Sequence, residues 1–216
     1  MLAVKDLSVI YQNNKVLNNF NLNLKQGEIF ALLGDSGSGK SSILRFIAGL
    51  DEGAQGEVEL NGVLLSKNGT HLTEPEHREV GMVFQDYVLF PHMNVEKNIS
   101  FGIHHLSRSE QKQRVTELLD MIGLKGIEKK YPHQLSGGEQ QRVSLVRALA
   151  PAPKILLMDE PFSSLDKIHR DQLVAQVRHI LKQTNTTSIL VTHDINEANA
   201  LADKVGKIQD KRLTVK

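Results

Sequence analysis

The sequence predicts an α/β fold built on a largely parallel sheet, and two observations carry that prediction. Three apolar runs, "IFALL" at 29–33, "KILLMDE" at 154–160 and "SILVTH" at 188–193, are too short for helices. They also lack the polar alternation of a half-exposed strand, so they read as strands buried on both faces. Each is followed by a stretch with helical spacing, and buried strands alternating with helices define this class.

Taken in order, "NFNLNLKQGE" alternates Phe20, Leu22 and Leu24 with polar residues and reads as a half-buried strand ending in a turn at Gln26-Gly27. "IFALL" then feeds "GDSGSGK" and the helical stretch "SSILRFIAGL", with Ile43, Leu44, Ile47 and Leu50 on its apolar face. "GEVELNG" and "VGMVF" add two strands. From about residue 86 to 135 the character changes. "RSEQKQRVTELLDMIGL" is an amphipathic helix presenting Val115, Leu118, Leu119 and Ile122, within what reads as a helical insertion into the α/β core. The core resumes with a glycine-led helix at 139–150, the strand "KILLMDE", a long helix around 166–183, the strand "SILVTH", the helix "INEANALAD" and a hairpin around Asp210-Lys211.

The bulk numbers narrow the function. A chain of 216 residues suits one core with a smaller appended lobe. With 26 Lys+Arg against 25 Asp+Glu, the net charge of +1 produces no field that would recruit nucleic acid. There is no cysteine, which excludes disulfides and thiolate metal sites. No apolar run reaches the roughly 18 residues of a membrane span, and "MLAVKDLSVIY" lacks the long apolar core of a signal peptide. Any membrane role would have to come through a partner.

"GDSGSGKS" at 34–41 satisfies G-x-x-x-x-G-K-[ST] between a buried strand and a helix, the context this phosphate-binding motif requires. The candidate stretch is Gly34, Asp35, Ser36, Gly37, Ser38, Gly39, Lys40, Ser41 and Ser42. Its glycines let successive backbone amides approach a phosphate, Lys40 reaches the β- and γ-phosphates, and the Ser41 hydroxyl is offered to Mg²⁺. Downstream, "ILLMDE" ends in two carboxylates at the C-terminal edge of a strand, where ligands gather in α/β sheets. Asp159 is placed to anchor Mg²⁺ and Glu160 to orient the attacking water as a base. A second glycine-led helix start, "LSGGEQQRV" at 135–143, offers another anion site, although the chain already has one.

Taken together, "GDSGSGKS", Gln85, "LSGGEQQRV", "ILLMDE", "SSLD" at 163–166 and His193 occur in the order of the ATP-binding subunit of ABC transporters, which the sequence resembles over nearly its whole length. The resemblance implies a P-loop NTPase core, a small antiparallel β-lobe and a helical subdomain. The core and β-lobe would cover about 1–85 and 136–216, and the helical part about 86–135. It implies ATP and Mg²⁺ as cofactors, with Tyr11 stacking on adenine, Gln85 sensing Mg²⁺ and water, and His193 contacting the γ-phosphate. It also explains the second anion site: two copies pair head to tail, Ser136, Gly137 and Gly138 close on the partner's ATP, and Asp166 couples the two sites. A chain whose two half-sites cannot meet internally should form a two-fold dimer. One departure follows Asp166, where "KIHR" replaces the small residue and leucine that many relatives carry before the arginine. The ending "GKIQDKRLTVK" is also more polar than usual.

"VGMVFQDYVLFPHMNVEKNISFG" resembles the segment that receives a permease helix in binding-protein-dependent importers. Physically, Val88, Leu89, Phe90 and Pro91 are too apolar for a plain solvent loop, so they are buried in the helical part, reserved for a partner, or both. The likeness is strongest to the group that handles ferric iron, polyamines, sulfate and sugars. That implies a subunit on the cytoplasmic face of the membrane, working with permease subunits and, indirectly, an extracytoplasmic binding protein. No nucleic-acid partner is expected. Many relatives continue into a β-rich regulatory domain, and this sequence stops where that would begin. The adjacent His104 and His105 read as a solvated surface rather than a metal site. The rival classes are a soluble ABC ATPase of DNA repair or translation and the ATPase of an exporter. Fewer than a hundred residues separate "VGMVFQ" from "ILLMDE", too few for a repair-type coiled coil, and a single cassette is present.

Overall fold

The computed structural model describes residues 1–11, 14–52, 54–86, 88–163, 165 and 167–215. A six-stranded sheet forms its centre, in the order β11 (Arg212–Val215), β10 (Lys204–Gln209), β3 (Ile29–Leu33), β9 (Thr187–Thr192), β8 (Ile155–Asp159) and β7 (Val80–Val83). All neighbours are parallel except β11, which returns antiparallel on β10 through the turn expected at Asp210-Lys211. A second sheet is antiparallel and follows the order β2 (Asn14–Leu24), β1 (Leu2–Tyr11), β4 (Ala54–Leu60), β5 (Val63–Lys67) and β6 (Thr70–His71).

The alternation of side chains along the central strands divides the core into two layers. Phe30, Leu32, Ile155, Leu157, Ile189 and Val191 face the antiparallel sheet and helix α1 (Lys40–Ala48). Ile29, Ala31, Leu33, Leu156, Met158 and Leu190 face the opposite layer. That layer draws on α2 (Val95–Ser100), α3 (Arg108–Met121), α4 (Gly137–Leu149), α5 (Lys167–Gln183) and α6 (Ile195–Leu201). Covering on both faces is why β3, β8 and β9 read as continuous apolar runs. Val115, Leu118, Leu119 and Ile122 are all buried, as the helical spacing predicts.

One expected core residue is displaced. Leu50 is 52% exposed because α1 ends at Gly49, whose φ of 81° turns the chain out of the helix. The Gly49 and Leu50 amides donate back to Phe46 O and Arg45 O, closing the last turn. At the same helix end lies Arg78, 1% exposed, whose guanidinium donates to the carbonyls of Phe46, Ile47, Leu65 and Thr73. Nothing in the charged stretch "EPEHREVG" marks this arginine as a core residue.

Candidate functional site

Strand register brings the site together. Leu33, the last residue of β3, lies opposite Thr192, and Val191 lies opposite Asp159. The loop after β3, His193 after β9 and the Asp159-Glu160 pair after β8 therefore leave one sheet edge side by side, although up to 160 residues separate them in sequence. Gln85 follows β7 beyond β8; it is exposed in a turn.

The loop from Gly34 to Gly39 crosses from β3 to α1. Gly39 occupies the N-cap of α1 with φ 91°, a left-handed conformation that suits glycine, and it has no side chain with which to cap the helix. The first turn of α1 thus lacks a side-chain cap from its N-cap residue, and the positive end of the helix dipole faces the loop. Lys40 folds back across the loop, where its ammonium donates to Gly34 O and Asp35 O, both at 2.8 Å. Burial lowers its pKa, while the charges of Glu160, Asp159 and Asp35 act in the opposite sense.

Ser41 Oγ donates to Asp159 Oδ1 at 2.9 Å, joining the first turn of α1 to the end of β8. Asp159 is 7% exposed, and burial pushes its pKa above the usual carboxylate value against the pull of Ser41 and Arg45. Glu160 Oε2 sits 3.2 Å from His193 Nδ1. A cavity of about 310 Å³ is lined by Ser36, Gly37, Lys40, Ser41, Ser42 and Glu160, with Val16 of β2 and Gly39 completing it. A neighbouring cavity of about 480 Å³ continues over Lys15, Asp35, Ser38 and the β10–β11 turn. Sequence reading expected the hairpin but gave neither it nor Val16 a part in the site, because nothing local marks either as a wall of the loop. The wall is fastened by Asn18 N, which donates to Lys211 O at 2.8 Å.

Other expected residues lie apart from this cluster. Ser136 caps α4 with a reciprocal pair of bonds. Its Oγ accepts from Glu139 N, and the Glu139 carboxylate accepts from Ser136 N and Oγ, which holds the Glu139 pKa below its usual value. Ser136 and Gly137 are exposed, and Gly138 lines a separate small cavity with Arg142 and Leu165. Asp166 and the side chain of Tyr11 lie outside the described residues; the Tyr11 backbone pairs with Asn14 at the end of β1. His104 and His105 are exposed, with His104 Nδ1 lying 3.1 Å from Phe101 O.

The apolar loop after β7 is both packed and exposed. Leu89 packs on the core, whereas Val88 is 50% and Phe101 54% exposed. The Phe90 and Phe101 ring centroids are 4.7 Å apart, and Arg147 lies 5.1 Å above the Phe90 ring while donating to Val88 O. Asn98 is fully buried beneath the loop, where it accepts from Phe90 N and donates to the carbonyls of Phe90, Met93 and Asn94.

Uncapped amides, a lysine laid across them and a buried carboxylate bonded to the next hydroxyl suit a nucleoside phosphate, and the class so defined is the phosphate-loop nucleotide-binding proteins. Within it the chain belongs to the ABC transporter family, which it matches over residues 17–163. It is 42% identical over 207 residues to the putrescine transport ATP-binding protein PotG of Escherichia coli (strain K12), covering 95% of this chain and 54% of PotG. It is 45% identical over 206 residues to the Fe(3+) ions import ATP-binding protein FbpC of Escherichia coli O157:H7, covering 94% of this chain and 58% of FbpC. The chain thus spans little more than half the length of these curated relatives. Among solved structures, the ATP-binding cassette MJ0796, a dimer in a post-hydrolysis state bound to ADP and Pi, matches with a TM-score of 0.86 at 31% identity. That match covers 100% of this chain and 98% of MJ0796.

Proposed function

We propose that the chain is the ATP-hydrolysing subunit of a binding-protein-dependent importer, acting as a head-to-tail pair of copies on the cytoplasmic face of a membrane. The observation that carries this reading is the convergence of Lys40, the Ser41–Asp159 bond and the Glu160–His193 contact at adjacent strand ends. The loop amides and the remaining Lys40 N–H hold the β- and γ-phosphates. Ser41 and Asp159 are hard oxygen donors in contact, and a carboxylate disfavoured by burial gains from a cation, so they fit Mg²⁺, with Gln85 as a further ligand. Bound there, Mg²⁺ supplies positive charge that neutralises the phosphates. Glu160 takes the proton of the attacking water, and His193 contacts the γ-phosphate.

Ser136, Gly137 and Gly138 serve the partner's nucleotide. The exposure of Ser136 and Gly137, the separation of all three from the Lys40 cavity and the dimeric state of MJ0796 support that assignment. Permease subunits dock on the Phe90–Phe101 patch. Among the described residues no helix is long and apolar enough to cross a membrane, and the exposed aromatic surface gives such a partner a place to bind. The cargo is a small ion or nutrient, ferric iron foremost, because FbpC is named for Fe(3+) import and PotG for putrescine transport.

Capture of tagged protein from gently solubilised native membranes, followed by mass spectrometry, tests this function. A multi-span permease in the eluate supports it; recovery of soluble partners or nucleic acid alone refutes the importer reading. Phe90→Asp should abolish that capture and transport while ATP affinity stays within about twofold, since the patch lies outside the nucleotide cavity. Transport that survives the change excludes the docking role. Lys40→Ala should weaken ATP binding by about 100-fold or more, because a buried charge-assisted contact is lost. Full affinity in a direct titration would overturn the loop assignment.

A further inference from the structure

His193 and Glu160 directly follow different strands, β9 and β8, and their contact depends on the loops they begin. Thr192 and Asp194 flank His193. The Thr192 hydroxyl donates to the buried Glu197 carboxylate at 2.5 Å and accepts from Asp194 N at 3.1 Å. Asp194 Oδ1 caps α6 by accepting from Asn196 N. One guanidinium reaches all of these parts. Arg170 Nε lies 3.5 Å from Glu197 Oε1, its Nη1 lies 3.5 Å from Asp194 Oδ2, and its Nη2 donates to Leu165 O at 2.7 Å. Leu165 belongs to the turn that starts at Glu160: Ser163 N donates to Glu160 O, and Leu165 N to Phe162 O.

We infer that Arg170 is a positioning residue for ATP turnover, a clamp that sets Glu160 and His193 against each other by tying together the loops behind them. This rests on the function proposed above. Arg170 hydrogen-bonds to neither residue and takes no proton; its guanidinium donates to Leu165 O and Asp194 Oδ2 and faces Glu197 as an ion pair without a hydrogen bond from Nε, three contacts that one flexible ammonium could not spread across. Glu197 is 6% exposed, and although burial raises its pKa, Arg170 and Thr192 act in the opposite sense. Removing the guanidinium leaves Glu197 and Asp194 without their common cation and frees both loops.

The test compares Arg170→Gln and Arg170→Lys with the unsubstituted chain in ATP hydrolysis, corrected for folded fraction. In Arg170→Gln, kcat should fall about 10- to 100-fold while KM for ATP stays within about twofold, because misplacement by a fraction of an ångström costs rate rather than phosphate contacts. Arg170→Lys should recover part of the loss. A purely structural role predicts lower thermal stability with kcat per folded molecule unchanged, and that result overturns the inference. A second readout is independent of turnover: the ¹H–¹⁵N imidazole signals of His193 in nucleotide-free protein. They should shift and broaden in Arg170→Gln, and unchanged signals also count against the clamp. A chain that hydrolyses no ATP at all refutes the proposed function, while the imidazole signals still decide on Arg170.

Discussion

Glu160→Gln is expected to bind ATP as tightly as the unsubstituted chain and to hydrolyse it about 10²- to 10⁴-fold more slowly, the usual cost of losing a general base. The substitution is close to isosteric and leaves the loop amides, Lys40 and the Ser41–Asp159 bond in place. Its electrostatic consequences are mild and partly helpful to binding. The Glu160 charge contributes to raising the pKa of Asp159, so removing it favours the ionised Asp159 that a metal requires. The same charge holds Lys40 protonated, but Asp159 and Asp35 continue to do so. What the amide cannot do is accept a proton from water while remaining in contact with His193. Equilibrium titration with a fluorescent ATP analogue and single-turnover phosphate release measure the two properties separately. Phosphate release at the unsubstituted rate would remove Glu160 from its role.

The phosphate loop and the carboxylate pair were legible because each is a local pattern set against a buried strand. The β3–loop–α1 unit and the end of β8 could be placed from composition and spacing alone. That the carboxylate pair lies near the loop followed from the rule that ligands gather at the C-terminal ends of strands in an α/β sheet, whereas His193 was placed there only through the resemblance, since register across β3, β9 and β8 is a property of the folded sheet. Backbone conformation at Glu160 was not legible at all. A residue before proline is expected to be extended, yet Glu160, which precedes Pro161, has φ 44°. The left-handed turn is held by Glu160 N donating to Val191 O and by Ser163 N donating to Glu160 O. It swings the side chain out of the β8 alternation towards His193. Strain of this kind is retained where the surroundings over-determine it, and it gathers at working sites. Leu50 shows the opposite limit, where a helical pattern continued past the residue that ends the helix.

Arg78 was hidden for a different reason: it lies in a run of charged residues that reads as surface. Replacing it is expected to be the most destabilising single change in the chain outside the apolar core. Its guanidinium is buried with no carboxylate hydrogen-bonded to it among the described residues, and burial lowers its pKa. The cation is held by four carbonyls, two of them, Phe46 O and Ile47 O, in the last turn of α1, where the helix dipole is negative; Phe46 O also accepts from Gly49 N. Leu65 O belongs to β5, so the same group ties the helix that begins at the phosphate loop to the antiparallel sheet. Arg78→Met removes all four hydrogen bonds and should lower unfolding free energy by about 2–5 kcal/mol, mainly through Ile47 O and Thr73 O, which lose this donor, while Phe46 O keeps the Gly49 amide and Leu65 O the Leu72 amide. Arg78→Lys keeps the charge but presents one point where a fork is needed, so its loss should be about half as large. Gly49→Ala should resemble Arg78→Met, because an added Cβ would lie 2.5 Å from Arg78 Nε at a position whose φ already disfavours a side chain. Urea unfolding followed by circular dichroism measures all three. If Arg78→Met and Gly49→Ala each lie within about 1 kcal/mol of the unsubstituted chain, as surface substitutions do, the clamp on α1 contributes nothing. If both show the full loss and their combination adds little more, a single coupled contact anchors the far end of the phosphate helix.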